Sequence, residues 1–162
     1  MTAKEQLATW LNSAHGTEVS LIKVLENHAK DARDIPMMHM RLEQHLEETR
    51  RHAKMVENCL SLLGEKPSTT KSILGNLTGM VQGASTGMFK DELIKNCLSD
   101  YAAEHFEIAC YRSLVVAAED LGEREIAALC REILGEEEAM AQWLADQIPE
   151  TTRLMQQQLT HA

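Results

Sequence analysis

The sequence of 162 residues predicts an all-α protein: an antiparallel four-helix bundle with a long central crossover and a short C-terminal helix. Three observations predict it. Long stretches rich in Ala, Glu, Leu, Lys and Arg contain few Gly or Pro, a composition that favours helices. Apolar residues recur at alternating steps of four and three through four separate stretches, the period of one helix face. Two of the connections are short, and short connections join antiparallel neighbours. One domain over residues 1–162 gives such a bundle enough chain for a substantial core.

The first helix is expected over about residues 4–30. Leu7, Leu11, Ala14, Glu18, Leu21, Leu25 and His28 form its seam, with Glu18 the polar break near the midpoint. Asp31 to Pro36 is a short connection, and Pro36 suits the first turn of a new helix. The second helix is expected over about 37–63, with Leu42, Leu46, Thr49, Ala53, Val56, Leu60 and Leu63 as its seam. Its polar break is Thr49, beside which His45, Glu48 and His52 lie along one flank. Gly64 and Pro67 stop it.

Residues 64–90 carry five of the eight glycines. The stretch is too long for a tight turn and long enough to cross the length of the bundle. Ser68 to Ser72 could cap a short helix reaching about Gln82. The third helix is expected over about 91–121, with Cys97, Tyr101, Glu104, Ile108, Tyr111 and Val115 on one face and Glu107 one turn beyond Glu104. Gly122 ends it, and a very short link makes a hairpin with a fourth helix over about 124–147. Ile126, Cys130, Ile133, Glu137, Met140, Leu144 and Ile148 form the last seam. Pro149 is expected to end this helix. Residues 150–162 are expected to form a short terminal helix with Leu154 and Leu159 on its apolar side.

Composition narrows the function. Net charge is −9 with no basic run, which argues against a nucleic-acid partner or an anionic membrane surface. No apolar run approaches the length of a membrane span. The N-terminus lacks the basic-then-apolar pattern of a signal peptide. Cys59, Cys97, Cys110 and Cys130 sit within helical patterns without a CxxC pair and read as reduced thiols of a cytoplasmic protein.

The acids at mid-seam carry the chemistry. Burying an unpaired carboxylate costs several kcal/mol, a large part of a domain's stability of roughly 5–15 kcal/mol. Protonation, an Arg or Lys partner, or a metal must compensate, and no Lys or Arg falls on the seams. Glu18 lies about twelve residues before the first turn and Glu48 about twelve after it; Glu107 and Glu137 lie about fourteen either side of the second. Each hairpin therefore sets two acids at one height, and a crossover brings all four into one plane. That is the arrangement of carboxylate-bridged di-iron and di-manganese bundles. The candidate metal ligands are Glu18, His45, Glu48, Glu104, Glu107 and Glu137, holding two Fe ions, with Mn or Zn as alternatives. Glu48, Glu107 or Glu137 would bridge, and Glu18 and Glu104 would bind terminally. The usual Glu-x-x-His motif fails, because Arg51 follows Glu48 by three and Met140 follows Glu137 by three. Nitrogen donors would come from His45, His52 or His105. No catalytic residue is singled out. The competing reading is a non-enzymatic structural or interaction protein whose metal site is vestigial.

Four segments resemble the ferritin-like YciE/YciF family, and together they cover almost the whole chain. They are SAHGTE around Glu18, EQHLEETR around His45 and Glu48, EHFEIACYRSL around Glu104 and Glu107, and ILGEEEAMAQWLADQIPETT around Glu137. The YciE branch is the more similar. The resemblance implies a ferritin-like bundle, a cytoplasmic bacterial stress-associated protein, a homodimer and ferroxidase activity. The Glu104/Glu107 pair also resembles the third-helix Glu-x-x-Glu of rubrerythrins, though no Cys-rich rubredoxin tail is present.

Overall fold

The computed structural model describes residues 1–68 and 91–160, and among these it contains four long helices: α1 (Ala3–Asp31), α2 (Pro36–Leu62), α3 (Glu92–Asp120) and α4 (Arg124–Thr160). The starts and stops follow local chemistry. Thr2 and Glu5 cap α1 reciprocally: the Glu5 N–H donates to Thr2 Oγ1 (3.2 Å), and the Thr2 N–H to Glu5 Oε2 (2.7 Å). Pro36 opens α2. Gly64 and Gly122 close α2 and α3 with φ of 79° and 73°. A side chain there would cost roughly 1–2 kcal/mol. The N–H groups of Glu65 and Glu123 then reach back to Leu60 and Ala118 O, each at 2.9 Å, and satisfy carbonyls at the helix ends.

The fourth helix departs from expectation. Pro149 does not end it, and no separate terminal helix follows; α4 continues through Pro149 to Thr160. Proline inside a helix costs about 3 kcal/mol, because it removes one N–H and crowds the preceding turn. Here the seam runs on past it. Thr151 and Met155 are buried at the spacing that continues Leu144 and Ile148. The Thr152 hydroxyl donates to Ile148 O at 2.7 Å beside the break. Continued burial outweighs the local penalty.

Packing fixes the topology. His15 meets Glu57 (3.0 Å) and His39 meets Ala29 O (2.8 Å), so α1 and α2 are antiparallel. Tyr111 reaches Glu18, and Asp100 reaches His28, so α3 is also antiparallel to α1. It follows that α2 and α3 run in the same direction, the topology that requires one long connection. The crossover itself and the short helix expected up to Gln82 lie outside the described residues. The expected seams are buried along almost their whole length, apart from half-buried Tyr101 and Ile148. Most of their residues fall in two large apolar clusters, with Leu21 in a smaller third beside Ala103. One large cluster contains Leu7, Leu11, Val56, Leu60, Leu114 and Ile133, and the other Leu25, Leu42, Leu46, Met140 and Leu144. Between them lies a polar layer.

Candidate metal centre

Each helix contributes to that layer where its seam breaks: Glu18 from α1, His45, Thr49 and His52 from α2, Glu104 and Glu107 from α3, and Glu137 from α4. All seven are buried, none more than 2% exposed. The donors converge in two groups. Glu18, His52 and Glu137 bring one ligand atom each within 4.8 Å of one another, and so do His45, Glu104 and Glu137. Glu137 is common to both, turning Oε1 to His52 Nδ1 (2.7 Å) and Oε2 toward His45 Nε2 (3.8 Å). His45 Nε2 also lies 3.0 Å from Glu104 Oε1, and His52 Nδ1 lies 3.7 Å from Glu18 Oε2. The two imidazoles sit seven residues apart on α2, two turns along one face.

The other nitrogen of each imidazole is held from outside. His45 Nδ1 meets Glu48 Oε2 at 3.0 Å, and His52 Nε2 meets Glu136 Oε2 at 2.7 Å. Each outer carboxylate is in turn gripped by an arginine. Arg41 donates to Glu48 at 3.1 Å, and Arg51 donates to Glu136. Burial opposes ionisation of Glu48, but His45 and Arg41 hold its carboxyl down at about 2. Thr49 donates to His45 O at 2.9 Å and fixes the backbone between the two rings.

These positions revise the expected donor set. Glu18, His45, Glu104 and Glu137 fall within the two donor groups. Glu107 is in the layer but outside both three-donor groups. Glu48 has the expected height but the wrong azimuth: one residue short of the seam, it turns behind His45 and is partly exposed. His52 takes the place in the cluster that Glu48 was expected to fill. Glu136, one residue off the α4 seam, orients His52. The i, i+7 spacing of His45 and His52 around Thr49 was the available signal. His105 is exposed, stacked edge-on against Tyr101, and away from the cluster.

A cation fits the layer because its atoms are not satisfied by one another. Glu18 Oε2, His52 Nδ1, Glu104 Oε2, Glu107 Oε1 and both oxygens of Glu137 are buried without a hydrogen-bond partner. The close approach of His52 Nδ1 to Glu137 Oε1 does not have the angle of a hydrogen bond, so both count as orphaned. At about 1–3 kcal/mol per orphan, even the four atoms outside the His52–Glu137 contact carry a cost that is a large part of a domain's stability. Without a metal, protons take up the strain. Burial raises Glu104 and Glu107 well above the usual carboxylate range, and the neighbouring acids add to it. Burial also raises Glu18, tempered by His52 and by the Tyr111 hydroxyl that donates to it. Burial pushes Glu137 up too, but His52 and Glu104 outweigh it and hold Glu137 below its usual value. Burial disfavours the His52 cation, yet Glu137 and Glu18 prevail and push it up to about 10.

Fold and site together define a four-helix bundle with a buried carboxylate–imidazole layer able to hold a metal ion. A family match over residues 2–157 makes the chain a member of the family described as a domain of unknown function, DUF892. It is similar to a protein of Xanthomonas campestris pv. campestris, at 31% identity over 99% of both chains with a TM-score of 0.83. It also resembles YcfI of Rhodopseudomonas palustris, proposed to be a structural protein, at 26% identity over 90% of this chain and 94% of that one, TM-score 0.80. The E. coli stress protein YciF shares the fold, with a TM-score of 0.83 and 24% identity over 94% of this chain and 98% of that one. Among the described residues no helix is long and apolar enough to cross a membrane.

Proposed function

We propose that this is a di-metal carboxylate protein that reacts with O₂ or peroxide, with iron the preferred metal and manganese or zinc as alternatives. The observation that carries the reading is the pair of donor groups sharing Glu137, each with its own imidazole and its own further carboxylate. Glu18, His52 and Glu137 would hold one ion, and His45, Glu104 and Glu137 the other, with Glu107 as an additional carboxylate. Two bound irons would supply reducing electrons to O₂ or peroxide, the chemistry of a ferroxidase-type oxidoreductase. The chain's own part is positioning. Glu48 and Glu136 fix the ring orientation of His45 and His52 and raise their basicity. The apolar clusters on either side shield the donors from bulk water, apart from Glu107, which lines a cavity between α1 and α3. Tyr111 holds one oxygen of Glu18 and leaves the other free. We place the protein in the YciE-like branch of its family, as a cytoplasmic, stress-associated homodimer.

The test is metal content per chain after anaerobic Fe²⁺ loading and desalting, followed by O₂ uptake on exposure to air. About two ions per chain are expected. Glu137→Ala should lose both, and Glu18→Ala one. Loading should also release protons, because the layer must give up those on Glu104, Glu107 and His52. Iron near zero, with Mn and Zn also absent, overturns the reading.

One observation favours a second reading, a structural bundle with a vestigial site. His52 as a cation beside Glu137, with protons on Glu104 and Glu107, neutralises the layer without metal. The same loading experiment separates the two readings.

A further inference from the structure

Between α1 and α3 an apolar cavity of about 330 Å³ opens to solvent. Trp10, Phe106 and Leu114 give it aromatic and aliphatic walls, and Glu107 belongs to its lining. Glu107 is 2% exposed, and its Oε1 has no hydrogen-bond partner. The same carboxyl feels Glu18, Glu137 and Glu104 of the metal layer. It therefore stands between the cavity and the cluster.

The polar groups of the wall define what fits. The hydroxyls of Ser13, Thr17 and Ser113 are already committed as donors to carbonyls of their own helices, those of Thr9, Ser13 and Ala109, at 3.2, 3.1 and 3.1 Å. Tyr111 donates to Glu18. Among the buried polar groups of the wall, Glu107 keeps an unpartnered oxygen, and its carboxyl retains an accepting carbonyl oxygen even when it carries a proton. No Lys or Arg lines the space, so an anion finds no counter-charge. Bare ammonium groups would lose hydration against the apolar walls. The volume lies at the lower end of the small-molecule range, about 300–1,000 Å³, and suits one aromatic ring with a short substituent.

We propose that this cavity binds a small neutral aromatic alcohol of the phenol class, its ring between Trp10 and Phe106 and its hydroxyl donating to the Glu107 carboxyl. The inference deepens the metal reading, because it names the class of molecule brought beside that centre. It is tested on metal-free protein, so its failure and a failure to take up metal are separate results.

The chain has two tryptophans, so Trp143→Phe leaves Trp10 as the sole fluorescent reporter of the cavity. The probes are para-ethylphenol, its methyl ether para-ethylanisole, which keeps the shape and loses the donor, and benzylamine. Para-ethylphenol should change Trp10 emission saturably and bind about tenfold more tightly than the ether, the value of one buried hydrogen bond. Glu107→Leu should bind phenol and ether equally, and Glu107→Gln, which keeps an acceptor oxygen, should retain part of the preference. Removing a buried unpartnered acid relieves strain, so the leucine variant is expected to fold. No saturable binding of either aromatic, equal affinities in the parent, or tighter binding of benzylamine would each overturn the proposal.

Discussion

Two buried histidine–carboxylate assemblies lie within this bundle, and they differ in one respect. His28 and Asp100 meet at 2.7 Å, with His28 2% and Asp100 4% exposed, and neither leaves an orphaned atom among the described residues. The layer around Glu137 is as deeply buried but leaves six atoms unpartnered. Burial of charge is common to both, so burial does not mark a candidate site; incomplete satisfaction is what sets the Glu137 layer apart. The His28 pair is closed by its own geometry, whereas the Glu137 layer needs something from outside.

The largest expected effect breaks the closed pair. His28→Ala leaves Asp100 buried without its partner and should destabilise the fold by about 3–5 kcal/mol. Chemical denaturation reads this directly, and iron uptake by the folded fraction should be unchanged. A loss below 1 kcal/mol would mean that Asp100 is solvated on removal of the ring, and the contrast between the assemblies would weaken. The opposite sign is expected in the open layer. Glu107→Leu in metal-free protein should raise stability by about 1–4 kcal/mol, since it removes a desolvated acid that nothing satisfies. Destabilisation there would show that Glu107 has partners in solution.

A third prediction stays within the layer. Glu48→Ala and Glu136→Ala each strip the outer carboxylate from one imidazole, and each should weaken metal binding about 10–100-fold. Glu48→Ala should act on the ion at Glu104, and Glu136→Ala on the ion at Glu18, so titration should resolve one weakened site of two. Equal weakening of both ions would argue against two separate half-sites.

Much of this arrangement was legible in the sequence. Apolar spacing gave the helix faces, and acids breaking the seams at Glu18, Glu104 and Glu137 are all in the layer. Counting from the turns gave heights correctly. It could not give azimuth. The buried stripe of α2 is two residues wide, so His45, Leu46, Thr49, His52 and Ala53 all qualify, and only packing against α3 and α4 decides which enter the layer. Glu48 lies behind His45 for that reason, while His52, one of three candidate nitrogen donors, enters the layer, and Glu136 was not singled out. Asp100 was invisible because its partner lies on another helix, 72 positions away. At Pro149, local propensity was outweighed by burial of Thr151 and Met155, which no window around the proline displays.

The smallest expected effect is a pH dependence that isolates the closed pair. Burial disfavours the His28 cation, but Asp100, with smaller contributions from Asp31 and Glu92, outweighs it and raises the imidazole above its usual 6.5. A group whose folded pKa is raised binds its proton more tightly when folded. Its contribution is therefore complete below pH 6.5 and is lost as pH climbs through the folded value. Asp100→Asn keeps the shape and removes the charge, so it should remove this part of the slope. Acids of the candidate metal layer also tilt the stability profile of metal-free protein; those remote from Asp100 do so in parent and variant alike and cancel in the difference, whereas Glu104, one turn from Asp100 and raised in part by it, does not. That difference should be largest below pH 6.5 and shrink on the alkaline side. A difference that stays flat across the range would mean His28 is neutral in the folded protein, held by a hydrogen bond to Asp100 and not by an ion pair.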